Sequence, residues 1–147
     1  MKKIMPCIFL LFFNKSHAQT VNDSVAIVRI LEKESATWRS GDMSAHAACW
    51  SIKPYSRILI STGDGKTLDV PPALMVNPPA GLMGKGGTSA NSNYKMNVSN
   101  NTAWVSHDEI STSADGNQTY SYEFRMLEKI EGEWKLVGQS IHIYKKE

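Results

Sequence analysis

The sequence predicts an α+β domain in which helices come first and an antiparallel sheet follows. Three observations carry that expectation. An amphipathic run from Thr20 to Ser40 closes on Gly41 and restarts at Asp42. The C-terminal half is a series of β-rich runs separated by Asn100-Asn101, Asp115-Gly116-Asn117 and Glu131-Gly132, which is turn chemistry. The last three runs, Ala103–Ile110, Thr119–Ile130 and Trp134–Tyr144, are adjacent along the chain and are expected to form an antiparallel meander.

The elements follow in order. Thr20-Val21-Asn22-Asp23 places an acid three residues after a hydroxyl, the pattern of a helix N-terminus. Behind it Val28, Leu31, Ser35 and Trp38 recur at helical steps and predict one core-facing stripe. Gly41 supplies a left-handed stop, and Asp42 caps a second helix from Met43 to about Trp50, ended by Pro54. Strands are expected over Arg57–Ser61, Tyr94–Val98, Ala103–Ile110, Thr119–Ile130 and Trp134–Tyr144. Between the first two lies Val70–Asn93, rich in proline, glycine and methionine. It is expected to be largely irregular, with a short helix near Ala73–Val76.

The first 18 residues read as a signal peptide. Lys2 and Lys3 precede the apolar stretch Ile4–Phe13, and Ser16-His17-Ala18 offers a small-x-small cleavage site before Gln19. The expected mature domain is residues 19–147, secreted or periplasmic and off the membrane once cleaved. Losing Lys2, Lys3 and Lys15 with no acid turns the formal charge of +2 into −1. A near-neutral chain without a basic run lacks the electrostatic footprint of a nucleic-acid binder. Of the two cysteines, Cys7 falls in the leader, and Cys49 reads as a small buried hydrophobe.

Trp38-Arg39-Ser40-Gly41-Asp42, Ala103-Trp104-Val105 and the stretch from Arg125 through Trp134 to Val137 together resemble the nuclear-transport-factor-2-like superfamily. Within it the chain looks most similar to SnoaL-like members of unknown function, over nearly all of Asn22–Tyr144. The resemblance implies a strongly curved sheet wrapping two to three N-terminal helices into a cone with an interior cavity. Known enzymes of the superfamily include isomerases, dehydratases, cyclases and epoxide hydrolases, while other members only bind or dimerise. Many relatives carry a histidine six residues after the tryptophan of the last strand and a serine eight after. Here Ser140 stands at six and His142 at eight.

Simple alternation places Trp134, Leu136, Gly138, Ser140 and His142 on one face of the last strand. Burial of Trp134 and Leu136 then predicts that Ser140 and His142 line the cavity, with His142 a candidate general base. His107 is a second candidate, although periodicity leaves open which face of Ala103–Ile110 points inward. Trp38, Trp50, Tyr55, Tyr122 and Trp134 are the aromatics expected to wall a ligand pocket or fill the core beside it. Glu123 and Arg125 share a face. They form either an ordinary ion pair on the outer side, the expected arrangement, or a substrate-orienting set like the acid–arginine–acid groups of epoxide-opening relatives.

Gly81-Leu82-Met83-Gly84-Lys85-Gly86-Gly87 fails as a phosphate loop, because Lys85 precedes Gly86 and not Ser or Thr. It is expected to be a flexible cover with Met75 and Met83 beneath. Neither a metal nor a cofactor is expected, since no His, Cys, Asp or Glu cluster has ligand spacing. Three functions remain: a binder of a small, mostly apolar molecule; an isomerase, dehydratase or hydrolase using His142; or a homodimeric interaction module. The third expects an outer apolar row of Val137, Ile141 and Ile143.

Overall fold

The computed structural model describes residues 14–146, with side chains from Asn22 onward. The charged and apolar parts of the expected leader, Lys2, Lys3 and Ile4–Phe13, lie outside the described residues. The elements are α1 (Asn14–Ser40), α2 (Met43–Ala47), β1 (Ile58–Ser61), β2 (Thr67–Val70), a 3-10 turn over Pro72–Met75, β3 (Gly87–Ser99), β4 (Thr102–Ser113), β5 (Gln118–Ile130) and β6 (Glu133–Tyr144). They form the expected α+β cone: one curved, unclosed six-stranded sheet around a long helix and a short one.

Helix α1 starts upstream of Thr20 because neither glycine nor proline interrupts residues 14–20. Asp23 is therefore no cap residue. It lies more than two turns into the helix, on the buried stripe Asp23, Ile27, Leu31, Glu34 and Ser35. Its carboxylate accepts hydrogen bonds from Lys129 Nζ at 2.6 Å and from the Trp134 indole N–H at 3.1 Å. The Lys129 bond holds the Asp23 pKa below its ordinary value, with the indole adding to it and burial opposing. A carboxylate shifted down stabilises the fold above its ordinary pKa, and that contribution is lost as pH falls through the lowered value. At the other end Gly41, at φ 74°, reverses the chain, and Asp42 accepts the Ala45 N–H at 3.0 Å to start α2. Helix α2 is shorter than expected and stops at Ala47.

The sheet order is β2-β1-β6-β5-β4-β3, antiparallel except for the parallel pair β1–β6. β2 is a short edge strand, Thr67-Leu68-Asp69-Val70, with mostly exposed side chains; four residues are too few for its alternation to stand out in the sequence. β3 extends from Gly87, well before the expected Tyr94, because its first half is a polar edge paired along β4. Ile27, Leu31, Ile58, Val105, Leu127 and Leu136 fill the core, flanked by Trp50 and Trp134.

Two bulges set which side chains reach the interior. In β6 the register slips between the pairs Met126–Gly138 and Leu127–Leu136, leaving Val137 as the extra residue. Trp134 and Leu136 face inward before it, and Gln139, Ile141 and Ile143 face inward after it. Ser140 and His142 are thereby turned to the outer face, opposite Phe124 and Tyr122. The indole of Trp134 and the imidazole of His142 lie on opposite sides of the sheet, against expectation. In β3 the slip falls at Asn93 and Tyr94, with Asn93 at φ 56°.

The proline- and glycine-rich stretch is anchored where a loose cover was expected. Gly84 and Gly86 donate their N–H groups to the carbonyls of Trp38 and Arg39 at 3.0 and 2.7 Å, satisfying acceptors that a helix end leaves free. Contact is so close that a Cβ on Gly84 would stand 2.7 Å from the Arg39 carbonyl oxygen. Met75 and Pro78 are buried beneath the stretch, and Met83 is half-buried.

The Asp23 tie yields a test. Asp23→Ala strands a buried indole N–H and should cost about 1–3 kcal/mol in urea unfolding, whereas Asp23→Asn, which keeps an acceptor, should lose less.

Candidate functional site

The interior of the cone is built from one face each of α1, β4, β5 and β6. On β5 the alternation runs opposite to the usual sense: Ser121, Glu123, Arg125 and Leu127 are buried, and Tyr122, Phe124 and Met126 are exposed. Glu123 and Arg125 are thus not an outer ion pair. β4 pairs with β5 so that Val105, His107 and Glu109 share the inner face. Helix α1 lays Glu34, Ser35, Trp38 and Arg39 over them.

These side chains form two linked polar groups. Arg125 donates to Glu123 and to the Gln139 amide oxygen, and its Nη1 lies 3.5 Å from Glu34 Oε2. Ser121 donates to Glu123 at 2.9 Å. Gln139 reaches on to Met75 Sδ at 3.9 Å. In the second group Arg39 donates to Glu109 and Ser35, and through Nε to Ser111 at 3.1 Å. Ser35 donates to Glu109 at 2.7 Å. Behind Glu34, His46 is fully buried, with Nε2 3.7 Å from Glu34 Oε1.

Burial sets the electrostatics. Desolvation raises the Glu34 pKa despite the attraction of Arg125 and His46. Desolvation alone would lower Arg125, but Glu123, Glu34 and Glu109 outweigh it and hold the guanidinium charged. His107 is held below its ordinary pKa by burial and then by Arg125, so it is neutral near pH 7. It lies against Tyr94, ring centroids 5.2 Å apart, and burial pushes the Tyr94 phenol up to about 12.

Above these groups opens a cavity of about 960 Å³. Its polar end is the Glu34–Arg125–Glu123 and Arg39–Glu109 floor. Its apolar wall is Ile60, Val70, Leu74, Met75, Ile141 and Ile143, with Trp38 and Leu82 beside it. A smaller hollow of about 620 Å³ opens at the β3 bulge, bordered by Tyr94, His107, Asp108 and Tyr122. Among the described residues no group of three or more His, Cys, Asp or Glu side chains is placed to hold a metal. Nor is any described helix long and apolar enough to cross a membrane.

Of the residues singled out from the sequence, Trp38 lines the large cavity. His107 faces inward but borders only the smaller hollow, away from His142. His142 is exposed on the outer face and bonds Ser140 at 2.9 Å. Tyr122 is also outside, stacked on Tyr144 at 4.5 Å. Tyr55 is exposed and donates to Glu128 at 2.5 Å, while Trp50 and Trp134 are core residues that do not line the cavity. Val137, Ile141 and Ile143 do not form an outer row; the last two line the cavity and Val137 is buried.

Glu34, Arg39, Glu109 and Gln139 were not anticipated. A charged residue at 34, one step from Ser35 on the apolar stripe of α1, was the available signal.

The fold matches known structures. An NTF2-like protein of unknown function from Shewanella baltica superimposes with a TM-score of 0.65 at 18% identity, covering 86% of this chain and 97% of that one. An NTF2-like protein with a cystatin-like fold from Novosphingobium aromaticivorans gives 0.67 at 14% identity, covering 90% and 88%. A third, from the same organism and provisionally named a scytalone dehydratase, gives 0.64 at 17% identity, covering 88% and 89%. The chain has the NTF2-like fold. No family model matches the sequence, and no curated protein matches it significantly.

Within this NTF2-like cone Arg125 is the shared partner of two buried acids. Arg125→Met should cost about 3–5 kcal/mol in denaturant unfolding, because Glu123 is left buried without its ion-pair partner and Glu34 loses its neighbouring guanidinium. Replacing all three by apolar residues of similar volume should recover most of that loss.

Proposed function

We propose that this is an exported domain that holds a small, mostly apolar molecule in the cone, its hydrophobic body on the Leu74–Met75–Ile141 wall and a polar group on the Arg125 floor. The observation that carries this reading is the split lining of the cavity, greasy on one side and densely hydrogen-bonding at one end. Binding sites generally combine such an apolar wall with a few convergent polar groups. The NTF2-like neighbours supply the cone but name no ligand for this chain. Any proton chemistry would fall to Glu34, the inward acid with a raised pKa, and not to His142, which faces away.

The test is to recover the protein from its source cells and weigh it under native conditions. A chain beginning at Gln19 with an extra small-molecule mass, released on unfolding and reduced by Leu74→Asp, supports the reading. A full-length chain or a persistently empty cavity argues against export or binding respectively.

A second reading rests on a different observation. The outer face exposes Trp104, Tyr122, Phe124 and Met126 at 42, 53, 39 and 39% of their surface. Trp104 stacks on Phe124 at 5.8 Å, so the row is a continuous aromatic patch. A patch of this kind suits a second copy of the chain, since aromatics and methionine are the residues enriched where protein surfaces meet. Sedimentation should show a dimer that Phe124→Asp converts to monomer; a wild-type monomer at high concentration removes the idea.

A further inference from the structure

The floor of the cone is unbalanced in charge. Three carboxylates, Glu34, Glu109 and Glu123, face two guanidiniums, Arg39 and Arg125, and all five are nearly inaccessible to water. Arg39 is committed to Glu109 and Arg125 to Glu123 by direct hydrogen bonds. Glu34 is the acid left over. Its two oxygens stand 3.5 Å from Arg125 Nη1 and 3.7 Å from His46 Nε2, both looser than the other pairs. An uncompensated charge at such depth is strongly unfavourable, so the site needs one more positive charge.

His46 is placed to supply it. Its Nδ1 lies 3.2 Å from the Glu34 backbone carbonyl, which can only accept, so Nδ1 carries a proton. The other nitrogen, Nε2, is buried, has no hydrogen-bond partner and points at the Glu34 carboxyl. The charged groups acting on Glu34 are Arg125 and Glu123 from β5, Glu109 from β4 and His46 from α2, and the Cys49 thiol just past α2, kept neutral by burial, lies close enough to feel the Glu34 charge. A single proton on the Glu34–His46 pair, on either partner, brings the floor to neutrality.

We propose that Glu34 and His46 hold one proton between them, and that this proton restricts the cone to uncharged molecules bearing a hydroxyl or carbonyl oxygen. The second half rests on the binding role proposed above. While the proton is present, an ammonium group entering the floor has no free anion to meet and loses its hydration without return. A carboxylate group adds a negative charge to a floor whose two guanidiniums are already committed to Glu109 and Glu123. A neutral oxygen forms hydrogen bonds at the polar end without unbalancing it. When rising pH removes the proton, the floor gains a net negative charge and an ammonium becomes acceptable.

The proton is read first without any ligand. Carbon-13 NMR of labelled glutamate and nitrogen-15 NMR of labelled histidine should show one protonated member of the pair at pH 7. Glu34 ionised together with a neutral His46 would overturn the proposal.

Binding of 1-adamantanol, 1-adamantylammonium and 1-adamantanecarboxylate, equal in apolar body, then reads the restriction. At pH 7 the alcohol should bind at least about tenfold tighter than either ion, a difference of about 1.4 kcal/mol. That lead over the ammonium should shrink in the wild type as pH rises to about 9, below the range where the ammonium itself deprotonates, and stay constant in Glu34→Gln, which keeps the shape but removes the surplus acid. A preference for the ammonium at pH 7, or parallel pH profiles in the two proteins, refutes the restriction. If the proton is found and none of the three binds, the binding role falls and the restriction falls with it.

Discussion

One buried guanidinium holds the two layers of this molecule together. Arg125 rises from the middle strand of the hairpin meander, takes Glu123 from its own strand and Gln139 from the next, and meets Glu34 from the helix above. A cation so deep exists only where anions surround it, and those anions exist there only because of the cation. Helix α1 is therefore seated over the sheet by charge at one end and by the Asp23–Trp134–Lys129 cluster at the other, with Ile27 and Leu31 between. The gap that remains between helix and sheet is the cavity. Its polar end is a structural necessity of the seating, and it is also the part able to recognise a ligand.

The order of elements was readable because punctuation and periodicity are local. Gly41 and Asp42 announced the corner between helices, and the Glu131-Gly132 and Asp115-Gly116-Asn117 turns announced the hairpins. What escaped was the edge. β2 is only four residues long and the first half of β3 is exposed and polar, so neither stands out from loop in the sequence. They are strands because β1 and β4 offer open backbone partners, a property of the assembled sheet.

The site was less legible for two physical reasons. Aromatic side chains usually mark the buried face of a strand, yet on β5 the aromatic face is the outer one and the charged face is buried. Only the position of the helix decides this, and Glu34 is the residue that carries the decision across 91 positions of sequence to Arg125. The second reason is the extra residue at 137. Alternation is a reliable rule until a bulge resets it, and the run from Trp134 to Tyr144 carries no glycine or proline at the residue that is inserted. Counting by twos from Trp134 sends His142 inward, and the extra Val137 sends it out.

That extra valine has a wider meaning for the design of the molecule. A single insertion or deletion in β6 would act as a parity change for everything distal to it. Without Val137, Ser140 and His142 would look into the hollow and Ile141 and Ile143 out into water. One codon thus separates a greasy pocket from a hydroxyl-and-imidazole one on an otherwise unaltered scaffold, a short mutational path between unlike interiors.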